Sequence, residues 1–263
     1  MKGNLTRHCI FIAVIIVLPG LYGCNKLIEY INEHPGIRAG AYQIKKLSFT
    51  RFYGGTDTLN FTYNAWGNPV SIVRPSTATG APDFLFRYNG RNRLTDMIGV
   101  YGTVIGPSNV ESWNKFFYDA AGHIVKDSLY FFPDVVDGHP VTGEHGVFSI
   151  VYYEYDDHNR LTTVTTWHQG ATTPLVYTFT YNPEGNLVGY TYDDKVNFLQ
   201  TNEIWMFLTM DYSLNNRLVA NYAYNKAGLP TSIDCFAGKG RNFELGPSTG
   251  EFFSNATIEY NRP

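Results

Sequence analysis

Over most of the chain apolar and polar positions alternate with a period of two, and aromatic residues mark the alternation. In FTYNPEGNL (179–187) Phe179 and Tyr181 share one face of a strand, a polar run interrupts, and Leu187 resumes the apolar pattern. The same arrangement returns in FTYNAWGNP (61–69), FRYNGRNRL (86–94), FFYDAAGHI (116–124), YEYDDHNRL (153–161) and YAYNKAGLP (222–230). A clipped IEYNRP closes the sequence at 258–263. The rule is an aromatic, any residue, Tyr, Asn or Asp, two variable residues, Gly or Asn, one more residue, then an apolar residue or Pro.

Each position has a physical reason, and each copy predicts one β-hairpin. Asn64, Asn89, Asp119, Asp156, Asn182 and Asn225 carry a short side-chain oxygen that bonds the backbone two residues on. Gly67, Asn92, Gly122, Asn159, Gly185 and Gly228 are the residue types that best tolerate positive φ. A type I turn followed by such a residue makes a hairpin with a bulge. DYSLNNRL (211–218) reads as a degenerate copy, with Ser213 and Asn216 in the two turn places, and RFYGGTDTL (51–59) as another hairpin.

The repeated tyrosines are unevenly spaced, which suits hairpins of different length rather than a strict solenoid. Gly- and Pro-bearing loops separate the copies at 74–82, 101–109, 132–146, 168–174 and 237–250. One segment breaks the alternation. Phe198, Ile204, Trp205, Met206 and Leu208 gather on a helix side, which predicts a helix over 198–210, buried against the sheet. The expected fold is all-β: an antiparallel meander of about a dozen or more strands, strongly twisted into an open sheet or half-barrel, with one short helix packed on its concave face. Pairing of the last strand (251–260) with an early one (41–53) would protect the sheet edges.

Composition adds a compartment. Lys2 and Arg7 precede an apolar run, Cys9–Leu18, too short to span a membrane, and small residues follow. This reads as a secretory signal over 1–23. LYGC at Leu21–Cys24 resembles a bacterial lipobox, which implies lipidation of Cys24. Residues 24–40 then form a tether, and 41–263 one β-sheet domain. With Cys9 removed and Cys24 acylated, Cys235 has no disulfide partner and reads as a buried structural residue. A net charge of -3 gives no basic field to draw nucleic acid. Only 16% of residues are charged, against 44% hydrophobic, which argues for a packed core rather than disorder.

The unit Tyr-Asn/Asp-x-x-Gly-Asn/Arg-Leu resembles the YD repeat of the Rhs family, which includes secreted bacterial toxins and the animal teneurins. The similarity extends over about residues 45–263, and no toxin domain is apparent after the repeats. A nearer resemblance is to short YD-repeat lipoproteins of the Bacteroides group. It rests on the lipobox, the hairpins, and a late stretch from Tyr192–Lys195 and Asn197 through Ser213–Asn216 to Tyr224–Gly228. VNFLQ departs from that pattern, which typically has Pro after the Asn. The resemblance implies an exported protein anchored in the envelope, on the outer membrane, and implies no activity.

Candidate chemistry is sparse. Asp137, His139, Glu144 and His145 share a loop without the spacing of a zinc-peptidase helix, and YDDHN and YDDK offer too few oxygen ligands for calcium, so no metal or cofactor is assigned. Glu111, Glu154, Glu203 and Asp211 are carboxylates suited by type to glycoside hydrolysis, which needs two of them across a cleft. There is no nucleophile elbow or Walker loop, and GKGRN (238–242) precedes no helix. The aromatics are the stronger lead: Trp66, Trp113 and Trp167 are the candidate sugar-stacking residues. The sequence therefore favours a non-enzymatic envelope protein with the membrane as one partner through its lipid, and a glycan or envelope protein as the other. A polysaccharide hydrolase and a carrier of an apolar ligand are the rival readings.

Overall fold

The structure is a computed structural model that describes residues 41–51, 55–106, 108–141, 146–236, 241–244 and 250–261. The leader, Cys24 and the 24–40 tether lie outside the described residues, as do Glu144 and His145. In chain order the strands are β1 (Gln43–Arg51), β2 (Thr56–Tyr63), β3 (Pro69–Val73), β4 (Asp83–Tyr88), β5 (Leu94–Val100), β6 (Val110–Tyr118), β7 (Ile124–Phe131), β8 (Asp134–Val136) and β9 (His139–Val141). They continue with β10 (Ser149–Tyr155), β11 (Leu161–His168), β12 (Leu175–Thr178), β13 (Tyr192–Val196), β14 (Asn215–Arg217), β15 (Ala220–Tyr224), β16 (Pro230–Cys235), β17 (Arg241–Glu244) and β18 (Gly250–Asn261).

One antiparallel sheet of 14 strands dominates, in the order β12-β11-β10-β7-β6-β5-β4-β3-β2-β1-β18-β16-β15, with β17 also on β18. The last strand does pair with the first, Ile44 opposite Tyr260. That pairing sits mid-sheet, however, because β16 and β15 continue beyond β18. Among the described residues the strand path ends at β12 and β15, which do not pair with each other, so the sheet is open. Between them lie the separate β13–β14 pair and bonds such as Val188 N to Thr180 O and Leu218 N to Thr191 O.

One face of the sheet holds the main core. Its centre is the predicted helical segment, which is shorter than 198–210: a 3-10 turn, Phe198–Thr201, then one α-helix, α1 (Glu203–Leu208). The break is at Asn202, which is extended (φ -159, ψ 137) and caps α1 by accepting from Ile204 N. Trp205 is fully buried, its ring 5.5 Å from Phe61 and 6.0 Å from Phe86, both edge-to-face. Phe207 packs on Phe116 and Tyr153 in the same way. Each such side chain contributes about 2 kcal/mol through burial. Cys235 is half-buried against this core.

A smaller cluster lies on the opposite face around Trp113, Ile98 and Val110, with Ile105 and Val135 packed against it. Val135 belongs to the β8–β9 ribbon, whose Asp137 (φ 49) and Gly138 (φ 73) form a two-residue turn with positive φ at both positions, the kind whose twist matches that of the flanking strands. The segment 211–218 is not a hairpin turn. Ser213 and Asn216 are fully buried, Asn216 on β14, where its amide bonds Asp193 and Val196 of β13. Among the described residues no helix is long and apolar enough to cross a membrane.

Candidate functional site

Turns 1 to 6 begin at Asn64, Asn89, Asp119, Asp156, Asn182 and Asn225, and they share one geometry. The first residue's N–H donates to the carbonyl four residues on, at 2.8–3.0 Å, as in Asn64 to Asn68 and Asn182 to Asn186. Gly67, Asn92, Gly122, Asn159, Gly185 and Gly228 all have φ between 58 and 100. The side-chain oxygen of the first residue accepts further turn N–H groups: Asn89 Oδ1 from Arg91 and Arg93, Asp156 Oδ1 from His158 and Arg160.

The tyrosines before turns 2, 3 and 4, and Tyr260 near the end of β18, reach back to the neighbouring strand in the sheet. Tyr88 donates to Pro69 O, Tyr118 to Leu94 O, Tyr155 to Ile124 O and Tyr260 to Pro230 O. Each acceptor is the residue that opens the neighbouring return strand. Its carbonyl alone is used, which is why Pro serves there as well as Leu or Ile. Burial raises the Tyr88, Tyr118 and Tyr155 hydroxyls, Tyr118 to about 12.

The residue before that acceptor forms a second link. Arg93 lies over the Tyr118 ring at 5.2 Å, His123 stacks on Tyr155 at 4.9 Å, and Arg160 lies over Tyr181 at 4.2 Å. Sequence reasoning passed over these three residues. The Arg/Asn place in the repeat was the available signal, but the ring each one covers belongs to the next copy along the chain.

Between this row of turns and α1 runs a groove of about 1410 Å³. Tyr118, Tyr155, Tyr181 and Tyr212 are among its lining residues. Arg91–Arg93, Ala121–His123 and His158–Arg160 form the turn wall, and Gln200, Glu203 and Met206 the helix wall. At turn 1, Asn202 Nδ2 donates to Gly67 O at 3.1 Å and ties the helix to the sheet. At turn 5, a Cβ on Gly185 would stand 2.9 Å from Leu214 Cδ1, so the chain following α1 packs directly on that turn. Adjacent hairpins are two strands apart, so turns 2 to 4 span roughly 20 Å of groove wall.

His123 bridges turns 3 and 4, with Nδ1 3.2 Å from Asp119 Oδ2 and Nε2 2.8 Å from Asn159 Oδ1. The His123 backbone N–H, together with that of Gly122, holds the Asp119 carboxyl below the usual range. Burial pushes Asp156 upward, but the Arg160 side chain at 2.7 Å and the turn amides outweigh it and leave this carboxyl lowered as well. Asp156, Asp157 and His158 bring their ligand atoms within 4.8 Å of one another. Both oxygens of Asp156 are already occupied by Arg160 and turn N–H groups, so no metal site is assigned.

The three tryptophans are not brought together. Trp66 is 75% exposed on turn 1 and outside the groove lining. Trp167 is 41% exposed on β11, opposite Ile150. Trp113 is 0% exposed, donates to Asp96 Oδ1 at 2.7 Å and lies under Arg87, so it is not available for stacking. The candidate carboxylates are scattered too. Glu111 is buried and accepts from Tyr101 and Gly80, Glu154 lies on β10, Glu203 is in the groove, and Asp211 pairs with Arg217 at 3.0 Å. Of the proposed histidine loop, Asp137 and His139 lie at the β8–β9 tip, away from the groove lining.

No family model matches this chain, and no curated protein matches it. Among solved structures it is similar to a porin-like protein from Bacteroides uniformis, at 10% identity and TM-score 0.38, over 83% of this chain and 98% of that one. It is also similar to TcdB2-TccC3-TEV, at 14% identity and TM-score 0.29, over 74% of this chain and 10% of that one. Superpositions this loose carry no argument about what this chain does.

Proposed function

We propose that this chain is a non-enzymatic, lipid-anchored protein of the bacterial envelope, on the outer membrane, that holds a glycan in the groove between turns 2 to 4 and α1. The observation that carries the reading is the groove lining. Tyrosine rings, planar Arg and His side chains, and Asn68, Asn92, Asn159 and Asn182 all line it. Sugar rings present apolar faces and a belt of hydroxyls, and such a surface matches both. The sequence supports the placement through the lipobox at Cys24, the 24–40 tether ahead of a single β-sheet domain at 41–263, and the resemblance of the hairpins to short YD-repeat lipoproteins. The carrier reading is weaker, because the inner side of α1 is filled by Trp205 and Phe207.

Ala121 is exposed at the tip of turn 3 and lines the groove, so Ala121→Trp obstructs it without touching the core. In a glycan array the full chain is expected to bind at least one saccharide and the variant to lose that signal. Retained binding by the variant would place the site elsewhere. Palmitate labelling in cells is expected for the wild type and absent for Cys24→Ala; equal labelling of the two would refute the anchor.

A further inference from the structure

The groove carries its charge unevenly, and the difference traces to one letter of the repeat. Turns 3 and 4 begin with an aspartate, whose second oxygen faces the cationic or imidazole side chain four residues on. Asp119 Oδ2 is 3.2 Å from His123 Nδ1 and Asp156 Oδ2 is 2.7 Å from Arg160 Nη2. Turn 2 begins with Asn89. Its amide oxygen accepts from the same two backbone positions as Asp156 in turn 4, here Arg91 N at 2.9 Å and Arg93 N at 3.1 Å, but brings no charge. Among the described residues neither Arg91 nor Arg93 has a carboxylate within ion-pair distance, while both line the groove.

Arg93 is also held in place. Its guanidinium lies over Tyr118 at 5.2 Å, and a Cβ on Gly122 would come within 3.0 Å of its Nη2, so the glycine of turn 3 leaves room for it. A guanidinium fixed against a ring presents its remaining donors in a set plane, which favours two-point recognition of a carboxylate or sulfate. The groove's carboxylates outside turn 4 are Glu203 on the helix wall and Glu184 on turn 5, so the turn 2 end of the turn wall is the part that suits an anion.

We propose that the turn 2 end of the groove, at Arg91 and Arg93, is a subsite for an anionic group borne on a sugar ring, so that the ligand is an acidic glycan. This rests on the reading of the groove as a glycan site.

The test is titration of the full chain with an oligogalacturonate (carboxylate), a chondroitin sulfate oligosaccharide (carboxylate and sulfate), a neutral xylo-oligosaccharide and an oligoglutamate of similar length. Binding of either acidic saccharide above the neutral one, weakening with salt, is expected. Arg93→Gln is expected to lower that affinity roughly tenfold, Arg91→Gln by a smaller factor, and Arg93→Lys less than Arg93→Gln, since it keeps the charge and loses the fork. Because Arg93 also packs on Tyr118, the exposed Arg91 variant gives the readout if Arg93→Gln unfolds. Equal binding of acidic and neutral saccharides, unchanged in both Gln variants, would overturn the acidic subsite while leaving the groove reading intact. Binding of oligoglutamate as tightly as the acidic saccharides would overturn the glycan class. Binding of none of them would overturn both.

Discussion

Turns 4 and 5 fold alike, yet the aromatic pairs leading into them do not behave alike. In YEYDDHNRL both hydroxyls are used: Tyr153 donates to Asp127 Oδ2 at 2.6 Å and Tyr155 to Ile124 O at 2.8 Å. In FTYNPEGNL the first aromatic is Phe179, and the Tyr181 hydroxyl is buried without a hydrogen-bond partner. The cause is the sheet, not the motif. β10 lies against β7 over four paired positions, whereas β12 ends at Thr178, and Tyr181 makes only an isolated bridge to Leu187. A turn closes from residues within a few positions of one another. The tyrosine link needs the preceding return strand in register, and at turn 5 the chain has already left the ladder. The repeat is therefore a local device with a non-local requirement.

The largest way to break this contrast is through Asp127, the partner that only the turn 4 hairpin has. Burial pushes its carboxyl up to about 7, with Tyr153 and Asn114 opposing the shift, and Oδ1 has no hydrogen-bond partner. The folded state thus holds a proton that the unfolded chain releases near pH 4. Stability is highest below that value and falls as pH rises toward 7, by on the order of 4 kcal/mol for a shift from 3.8 to about 7. Asp127→Asn is expected to raise the melting temperature at pH 8, change it little at pH 4, and flatten the profile between. A variant less stable than wild type at pH 8 would show that the carboxylate is stabilising.

The hydroxyls themselves give a smaller and sharper test. Tyr155→Phe leaves the Ile124 carbonyl without its donor and is expected to cost about 1 kcal/mol in urea unfolding. Tyr181→Phe removes a buried hydroxyl that bonds nothing, so it is expected to be neutral or slightly stabilising. Equal losses at the two positions would mean that the tyrosines matter through their rings alone.

Much of this architecture was legible in the sequence, for reasons the same contrast explains. Asn182 and Gly185 could be read as turn residues because the chemistry of a tight turn is local. The break at Asn202 was hidden inside an apolar run that looks continuous by helix periodicity. The burial of Trp113 was also hidden, because the Val135 ribbon and Arg87 that cover it come from distant sequence. The candidate site had the same defect. Tryptophan as a residue type drew attention to Trp66, Trp113 and Trp167, which the fold disperses, while the groove wall is built from Arg93, His123 and Arg160. Each of these looks like an ordinary polar position until the next hairpin is laid beside it.

Hydrogen exchange of the full chain, with and without a saturating acidic oligosaccharide, tests the central claim most directly. Slowed exchange is predicted at the backbone amides of Arg91–Arg93, Ala121–His123 and His158–Arg160, with the β8–β9 ribbon and the strands around Trp167 unchanged. Protection confined to Trp66, Trp167 or the β8–β9 ribbon, or no protection under conditions where binding is saturated, would contradict it.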